Sequence, residues 1–415
     1  MKKKFWSVIA LTIVFSFQLV AYINCSGSPE VNNSAASTAP GLTTPLNSGS
    51  TAANVMAVSA GNCGTYGYIN EPCVSVTVCQ HNTTNCTTIP NILLDTGSYG
   101  LRVFGSALGS TTLTQVTNAG GNPVVECAQF GSGSTWGPVQ RADVQLGGEP
   151  KVYIPIQVIN SIYTVPIVSG TAACTTLQTT PSVGYNGILG VGLLLYDCGS
   201  YCVSQPNLGV YFGCPSTTTC TSTALALASQ VINPVGALPV DNNGVIVSFA
   251  GVTSAGVASA NGTLTLGIGT STNNIPPSLT VFTADLFANF TTVYKGTSDT
   301  QSFIDSGSNG LYFPDSTITQ CTTSPGFFCP TSQQTLTAVH QAQSTSISAT
   351  VSFYVGNTDV ITAPFSGNRG VLNNLGGNGS LHQFDWGFPF YLGRSIYSGL
   401  ETKSSSLGSG PYWAY

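Results

Sequence analysis

Asp95 closes the apolar run Ile92, Leu93, Leu94 and opens "DTGSYGL"; Asp305 follows Phe303 and Ile304 and opens "DSGSNGL". Each stretch reads apolar residue, Asp, Thr or Ser, Gly, Ser, any residue, Gly, Leu, and the two lie 210 residues apart in a chain with only 15 acidic residues in 415. A single Asp-Thr-Gly is ordinarily a turn, in which Asp caps its own backbone and Gly supplies positive φ. Two copies, each behind an apolar strand, point to two carboxylates brought together. Such groups about 3 Å apart cannot both ionise cheaply, so the pair holds one proton and titrates as a unit. The charged member can act as general base on a water while the protonated one donates to a carbonyl oxygen, and no protein nucleophile is needed. Around them, Gly97 and Gly307 leave backbone N–H groups open to the carboxylates in a tight turn. Ser98 and Ser308 would donate to the outer carboxylate oxygens and favour the charged form.

Rival chemistries find less support. The sequence has no Gly-x-Ser-x-Gly elbow and no Gly-x-x-x-x-Gly-Lys loop,. His81, His340 and His382 are scattered and read as surface or hydrogen-bonded structural residues, not as triad members or metal ligands. Cys198 and Cys202 are nearly ligand-spaced for zinc, but no His lies near them in sequence. A glycosidase carboxylate pair matches the repeated glycine turn poorly. Neither a metal nor another cofactor is expected.

The elements that would position the pair read as strands. "CVSVTVC" at residues 73–79, "KVYIPIQVIN" at 151–160, "NNGVIVSFAG" at 242–251 and "ISATVSFYVG" at 347–356 alternate apolar and polar residues and are bounded by turn formers,. In the second of these, Val152, Ile154, Ile156 and Val158 share one face. Helical pattern is scarce, with one short helix expected within "STALALASQVI" at 222–232. The body is therefore expected to be all-β, and its length exceeds what one core usually supports, so two lobes are expected.

Lys2, Lys3 and Lys4 precede an uncharged apolar run from Phe5 to about Ile23, the order of a secretory signal,. "YINCSGS" then resembles a bacterial lipoprotein processing site with Cys25 as lipid carrier, although Tyr22 and Asn24 stand where that pattern has Leu and Gly or Ala. Ordinary cleavage and an uncut anchor are the alternatives. Residues 26–60 are Ser, Ala, Asn, Thr, Gly and Pro with almost no aromatics and are expected to be a flexible linker,. Without Cys25, 12 of the 13 cysteines remain, an even set that reads as disulfides in an exported chain,. Charged residues are 6% of the chain, against about 25% in a typical domain. Loss of residues 1–24 leaves 7 basic against 15 acidic residues, a net −8, so nucleic acid is excluded as an expected partner.

With these motifs in view, the chain after about residue 61 resembles the pepsin-like aspartic proteases, and more closely an uncharacterised bacterial branch of that clan, a domain of unknown function. The resemblance rests on the two Asp motifs. It rests also on apolar-apolar-Gly stretches expected behind each, "GILG" at 187–190 and "FYLG" at 390–393. "FGSGSTWGPVQRADVQLGG" at 130–148 resembles the flap hairpin, with Phe130, Gly131, Ser132 and Gly133 over the substrate. "NPVGALPVDNNGVIVSFAGV" at 233–252 is similar to the segment joining the lobes. The resemblance implies a bilobal double β-barrel with pseudo-two-fold symmetry, an N-terminal lobe at 61–235 and a C-terminal lobe at 236–415. It implies Asp95 and Asp305 as catalytic residues, Thr96 and Ser306 bonded across the lobe interface, and hydrolysis of a peptide or protein substrate. Two departures bear on that activity: Phe130 stands where the flap usually carries Tyr, and Arg102 where the digestive enzymes usually have Trp. The expectation is thus an exported endopeptidase, monomeric, at the outer membrane or cell surface through a lipid on Cys25, or periplasmic or secreted. A catalytically inactive binding or scaffold protein of the same fold is the alternative.

Overall fold

In a computed structural model, residues 52–61, 63, 68–168, 170–179, 183–365 and 370–415 are described. The expected signal, Cys25 and most of the expected linker lie outside them. Strand accounts for 45% and helix for 7%, which makes the protein all-β, with a closed six-stranded barrel and a half-barrel.

The barrel closes through six pairings. Pro72–Cys79 pairs antiparallel with Cys86–Asp95, which runs parallel to Gly187–Val191. That strand is antiparallel to Tyr99–Phe104, which runs parallel to Val152–Ile159. Val152–Ile159 pairs antiparallel with the long strand Gly133–Leu146, which returns antiparallel to Pro72–Cys79. Alternation explains the interior: Val76, Val78, Leu94, Leu101, Val103, Val144, Leu146 and Ile156 are fully buried in one cluster.

The second half repeats the same order of relations. Phe290–Tyr294 is antiparallel to Thr297–Ile304, which runs parallel to Asp385–Trp386. Asp385–Trp386 is antiparallel to Leu311–Phe313, itself parallel to Gly376–Asn378. On the other side Phe290–Tyr294 pairs with Gln334–Gln341, and that strand with Ser348–Val355. The ring stays open between Ser348–Val355 and Gly376–Asn378, the two ends of the sheet. Aromatic side chains fill this half: Phe313 stacks on Phe384 at 4.7 Å, and Phe384 on Trp386 at 4.1 Å. Between the halves runs a layer ordered Val55–Ala60, Ala260–Leu266, Gly244–Phe249, Arg394–Gly399, Tyr412–Ala414, Val281–Thr283.

Three expectations need correction. Residues 55–60 were expected to belong to the linker. They form a strand paired with Ala260–Leu266, because Met56, Val58 and Ala60 alternate into the core. The helix expected within 222–232 is only the 3-10 turn Leu227–Ser229, its flanks Ala226 and Gln230 being extended. "FYLG" at 390–393 is not a strand behind Asp305; Pro389 opens the 3-10 turn Phe388–Tyr391 there.

All 12 cysteines after Cys25 pair: Cys63–Cys73, Cys79–Cys86, Cys127–Cys174, Cys198–Cys202, Cys214–Cys220 and Cys321–Cys329. Six disulfides fit an oxidising, exported setting,, and the Cys198–Cys202 pair leaves no thiolate for zinc. No helix among the described residues is long and apolar enough to cross a membrane.

Loop length ranks these bridges. Cys127–Cys174 spans 47 residues and Cys79–Cys86 only 7, so chain entropy assigns about 4 and about 2.4 kcal/mol respectively. Replacing the first pair with serines is expected to cost ~1–2 kcal/mol more than replacing the second, read from guanidinium unfolding midpoints. Equal losses would show that strain or residual structure, not loop closure, decides.

Candidate active site

Asp95 ends the strand Cys86–Asp95, and Asp305 directly follows Thr297–Ile304. Each turn is held from behind by a parallel strand. In the first half this is Gly187–Val191, as "GILG" suggested, with Gly190 opposite Asp95. In the second half it is Asp385–Trp386, with Trp386 opposite Ile304 and Gly387 following. The stretch "DWG" thus does what "FYLG" was expected to do.

The two turns lock through reciprocal bonds. Thr96 N–H donates to Ser306 Oγ at 3.1 Å, and Ser306 N–H donates to Thr96 Oγ1 at 2.9 Å. Each hydroxyl then donates to the carbonyl before the other motif's Asp: Thr96 to Ile304 at 2.9 Å, Ser306 to Leu94 at 2.7 Å. Since the Thr96 hydrogen is committed to Ile304, the Tyr391 hydroxyl 2.7 Å away must be the donor to Thr96,. Thr96 and Ser306 are buried, 1% and 0% exposed, so every one of these groups depends on its partner.

This lock brings the carboxyl groups of Asp95 and Asp305 together, so that one backbone N–H, that of Gly97, reaches an oxygen of each. Gly97 N–H donates to Asp95 Oδ1 at 2.8 Å and also reaches Asp305 Oδ1 at 3.2 Å; Gly307 N–H donates to Asp305 Oδ1 at 2.7 Å. Ser98 Oγ lies 2.5 Å from Asp95 Oδ2, and Ser308 Oγ 2.9 Å from Asp305 Oδ2. The glycines are required for space: a Cβ on Gly97 would stand 2.5 Å from the Asp305 carboxyl carbon, and one on Gly307 2.9 Å from that of Asp95. Burial, then the charges of Asp95 and Asp385, push Asp305 well above the usual carboxylate range, while the Ser308 bond pulls it back. A pair so placed can hold one proton and polarise a water.

Phe130, Gly131, Ser132 and Gly133 form the tip of a hairpin in which Phe130 pairs with Gly133. The tip is braced. Gln178 Nε2 donates to Ser132 Oγ at 3.0 Å, Ser134 N–H to the Thr176 carbonyl at 3.0 Å, and Cys127–Cys174 ties the bracing segment to the hairpin. Gly133, with φ 151°, has no room for a side chain: a Cβ would meet the Thr176 carbonyl at 2.5 Å. Phe130 packs on a cluster of Leu93, Phe104, Ile159, Tyr185 and Ile188 that also takes in Tyr68, whose hydroxyl donates to the Gly307 carbonyl at 3.4 Å. Arg102 is buried, paired to Glu126 at 2.6 Å and Asp197 at 3.2 Å, and donates to the Tyr99 carbonyl at 2.8 Å.

Sequence reasoning missed four participants: Tyr68, Asn70, Asp385 and Tyr391. Asn70 fixes the loop after Ser308, donating to the Asn309 and Leu372 carbonyls at 2.7 and 2.9 Å. Asp385 lies 2.6 Å from Ser308 Oγ, and burial pushes its carboxyl up to about 8, with the Asp95 charge adding to the rise and Ser308 opposing it. Aligning "GILG" with "FDWG" on their final glycines would have found it, since Asp385 and Ile188 then coincide.

Two of the histidines, His81 and His340, are structural in their contacts. His81 bonds Asp143 at 2.7 Å, and buried His340 meets the Tyr415 hydroxyl at 2.7 Å. Burial, with the Arg394 charge, holds His340 well below the usual imidazole range.

Removing the lock hydroxyl by Thr96→Val strands the Ser306 N–H and the Ile304 carbonyl, and is expected to cost about 3 kcal/mol in chemical unfolding; a loss under ~1 kcal/mol would show that the lock is dispensable. Asp385 carries a pH signature. An unfolded Asp releases its proton near pH 4, whereas the folded chain keeps this one to about 8. Over that window the folded state binds the extra proton, so its contribution to stability is present below about pH 4 and is lost progressively as pH rises to about 8,. Asp385→Asn should reduce that decline by roughly 3–5 kcal/mol over the window; parallel stability–pH curves for the two proteins would contradict the assignment.

None of the curated proteins compared with the chain matches it. Residues 50–415 match the family described as "Protein of unknown function (DUF3443)". That match starts just before the strand Val55–Ala60, which the linker reading had excluded, and runs to the last residue. The chain belongs to this DUF3443 family.

Proposed function

We propose that the chain is an exported aspartic endopeptidase of pepsin-like, bilobal construction, in which Asp95 and Asp305 share a proton and activate a water against a peptide bond. The observation that carries this is the meeting of two reciprocally bonded turns, where the Gly97 N–H reaches both the Asp95 and the Asp305 carboxyl group. The matched strand order of the barrel and half-barrel supports a pseudo-two-fold relation between lobes at 61–235 and 236–415, with Val55–Ala60 added to the layer between them. Thr96 and Ser306 fix the geometry, and Ser98, Ser308 and the Gly97 and Gly307 amides orient the carboxylates. An extended peptide segment of a protein is the substrate, Cys25 the lipid attachment to a membrane, and the working form a monomer.

The braced hairpin favours a second reading, a binding protein of the same build that does not turn its ligand over. A flap that must open and close is poorly served by a tip bonded at Ser132 and Ser134 and tied by a disulfide.

Screening the oxidised chain against a peptide library from pH 3 to 7 separates the two. Asp95→Asn and Asp305→Asn should each lower cleavage by ~10²–10⁴-fold with unfolding midpoints little changed. Cleavage that survives both substitutions sinks the dyad, and absence of cleavage by the parent chain at every pH leaves the binding reading.

A further inference from the structure

Ser308 stands between two carboxylates: its Oγ lies 2.9 Å from Asp305 Oδ2 and 2.6 Å from Asp385 Oδ2. A hydroxyl has a single hydrogen. Both contacts can be hydrogen bonds only if one carboxyl supplies the second proton. Asp385 is the better holder. It is 8% exposed, and its other oxygen, Oδ1, is buried without a hydrogen-bond partner, so an ionised Asp385 would be a charge left half unsatisfied in the interior. Asp305 by contrast receives the Gly307 and Gly97 amides on Oδ1. The directions then follow: Asp385 Oδ2–H donates to Ser308 Oγ, and Ser308 Oγ–H donates to Asp305 Oδ2.

We propose that Asp385 is a positioning residue which, while protonated, points the Ser308 hydrogen at Asp305, and whose ionisation turns that hydrogen away and closes the alkaline side of the activity. This rests on the peptidase reading above. When Asp385 loses its proton it becomes the stronger acceptor at the shorter distance and takes the Ser308 hydrogen for itself. Asp305 then loses the donor that orients its outer oxygen; the lost donor and the new negative neighbour both favour its protonated form, so the alkaline decline comes from a misoriented pair and not from loss of the shared proton. The groups that act on Asp385 are Ser308 and Asp305 from the second motif and Asp95 from the facing motif. From the turn Phe388–Tyr391 comes the Tyr391 hydroxyl, and Tyr312 lies opposite Asp385 on the neighbouring strand. In the barrel half the corresponding position is Ile188, which does not titrate. The device therefore acts on one carboxyl of the pair only.

Asp385→Asn tests this, because the amide N–H can replace the carboxylic O–H toward Ser308 and cannot ionise. Its kcat near pH 6 should stay within about threefold of the parent, while its activity should persist past pH 8, where the parent's declines. Asp385→Leu, which keeps volume and removes the donor, should lower kcat about tenfold at pH 6 with KM little changed. Superimposable alkaline limbs for the parent and Asp385→Asn overturn the proposal and leave the peptidase reading intact. A readout independent of cleavage is infrared difference titration of the full chain. A protonated-carboxyl C=O band should vanish as pH rises through about 8, be missing from Asp385→Asn, and move in Ser308→Ala as its hydrogen bond is lost. That band in a chain that cleaves nothing upholds the proton on Asp385 and defeats the peptidase reading. Its absence from the parent overturns the proposal whatever the cleavage result.

Discussion

Two carboxyl groups in contact repel unless something else fixes the backbone that carries them. Here that task falls to the exchange between Thr96 and Ser306, in which each residue's N–H and hydroxyl serve the opposite turn. Any one such bond contributes about 1 kcal/mol net, less than the repulsion of two buried charges in contact. Four together, closed off from water and extended by Tyr391, make opening costly because every group would be stranded at once. Under the proposed function, one proton held by the pair would remove what repulsion remains. The glycines follow from the same constraint, since any side chain at Gly97 or Gly307 would occupy the other motif's carboxyl position.

The chain is poor in charge, and what it buries it clusters. Arg102, expected from resemblance to be a departure that weakens hydrolysis, occupies a definite structural place. It binds Glu126 on the hairpin strand Val124–Phe130 and Asp197 beyond the barrel, and its other nitrogen holds the carbonyl of Tyr99, next to Ser98. Burial, then the Glu126 charge, pushes Asp197 well above the usual carboxylate range against the pull of Arg102, so the cluster is nearer neutrality than its formal charges suggest. One buried cation thus ties the Asp95 turn to the hairpin. A Trp could pack there, but it could not accept two carboxylates.

Much of the site was legible because it is written in contiguous residues: both Asp motifs, their serines and glycines, and "GILG" all sit where spacing put them. The strands at 73–79, 151–160, 242–251 and 347–356 were legible through alternation. What failed had identifiable causes. "FYLG" carried the expected apolar pattern, yet Pro389 forced a 3-10 turn and the strand role passed to "DWG", where an Asp breaks the apolar signal. Residues 55–60 have little bulk, and only pairing with Ala260–Leu266 shows that Met56 and Val58 are core. The hairpin brace was illegible because Cys127 and Gln178 lie far from the residues they secure. Disulfide pairing and long-range contacts are set by topology, which local pattern does not contain.

The two halves agree in strand order and in the bonding of their turns, yet differ one layer behind. Behind the first motif the backing strand offers Ile188 and Leu189, both buried and apolar; behind the second it offers Asp385 and Trp386. The difference matches their surroundings. Ile188 packs in an apolar cluster with Leu93, Phe104, Ile159 and Tyr185, whereas Asp385 lies against the Ser308 hydroxyl and Trp386 enters the ring-filled interior of the open half. There Ser308 is within reach of a third carboxyl, and Trp386 finds Thr292 for its indole N–H at 3.0 Å. The likeness of the two turns that bring Asp95 and Asp305 together is therefore broken where each is supported from behind, and under the proposed function the two carboxyls would not hold a shared proton as equals.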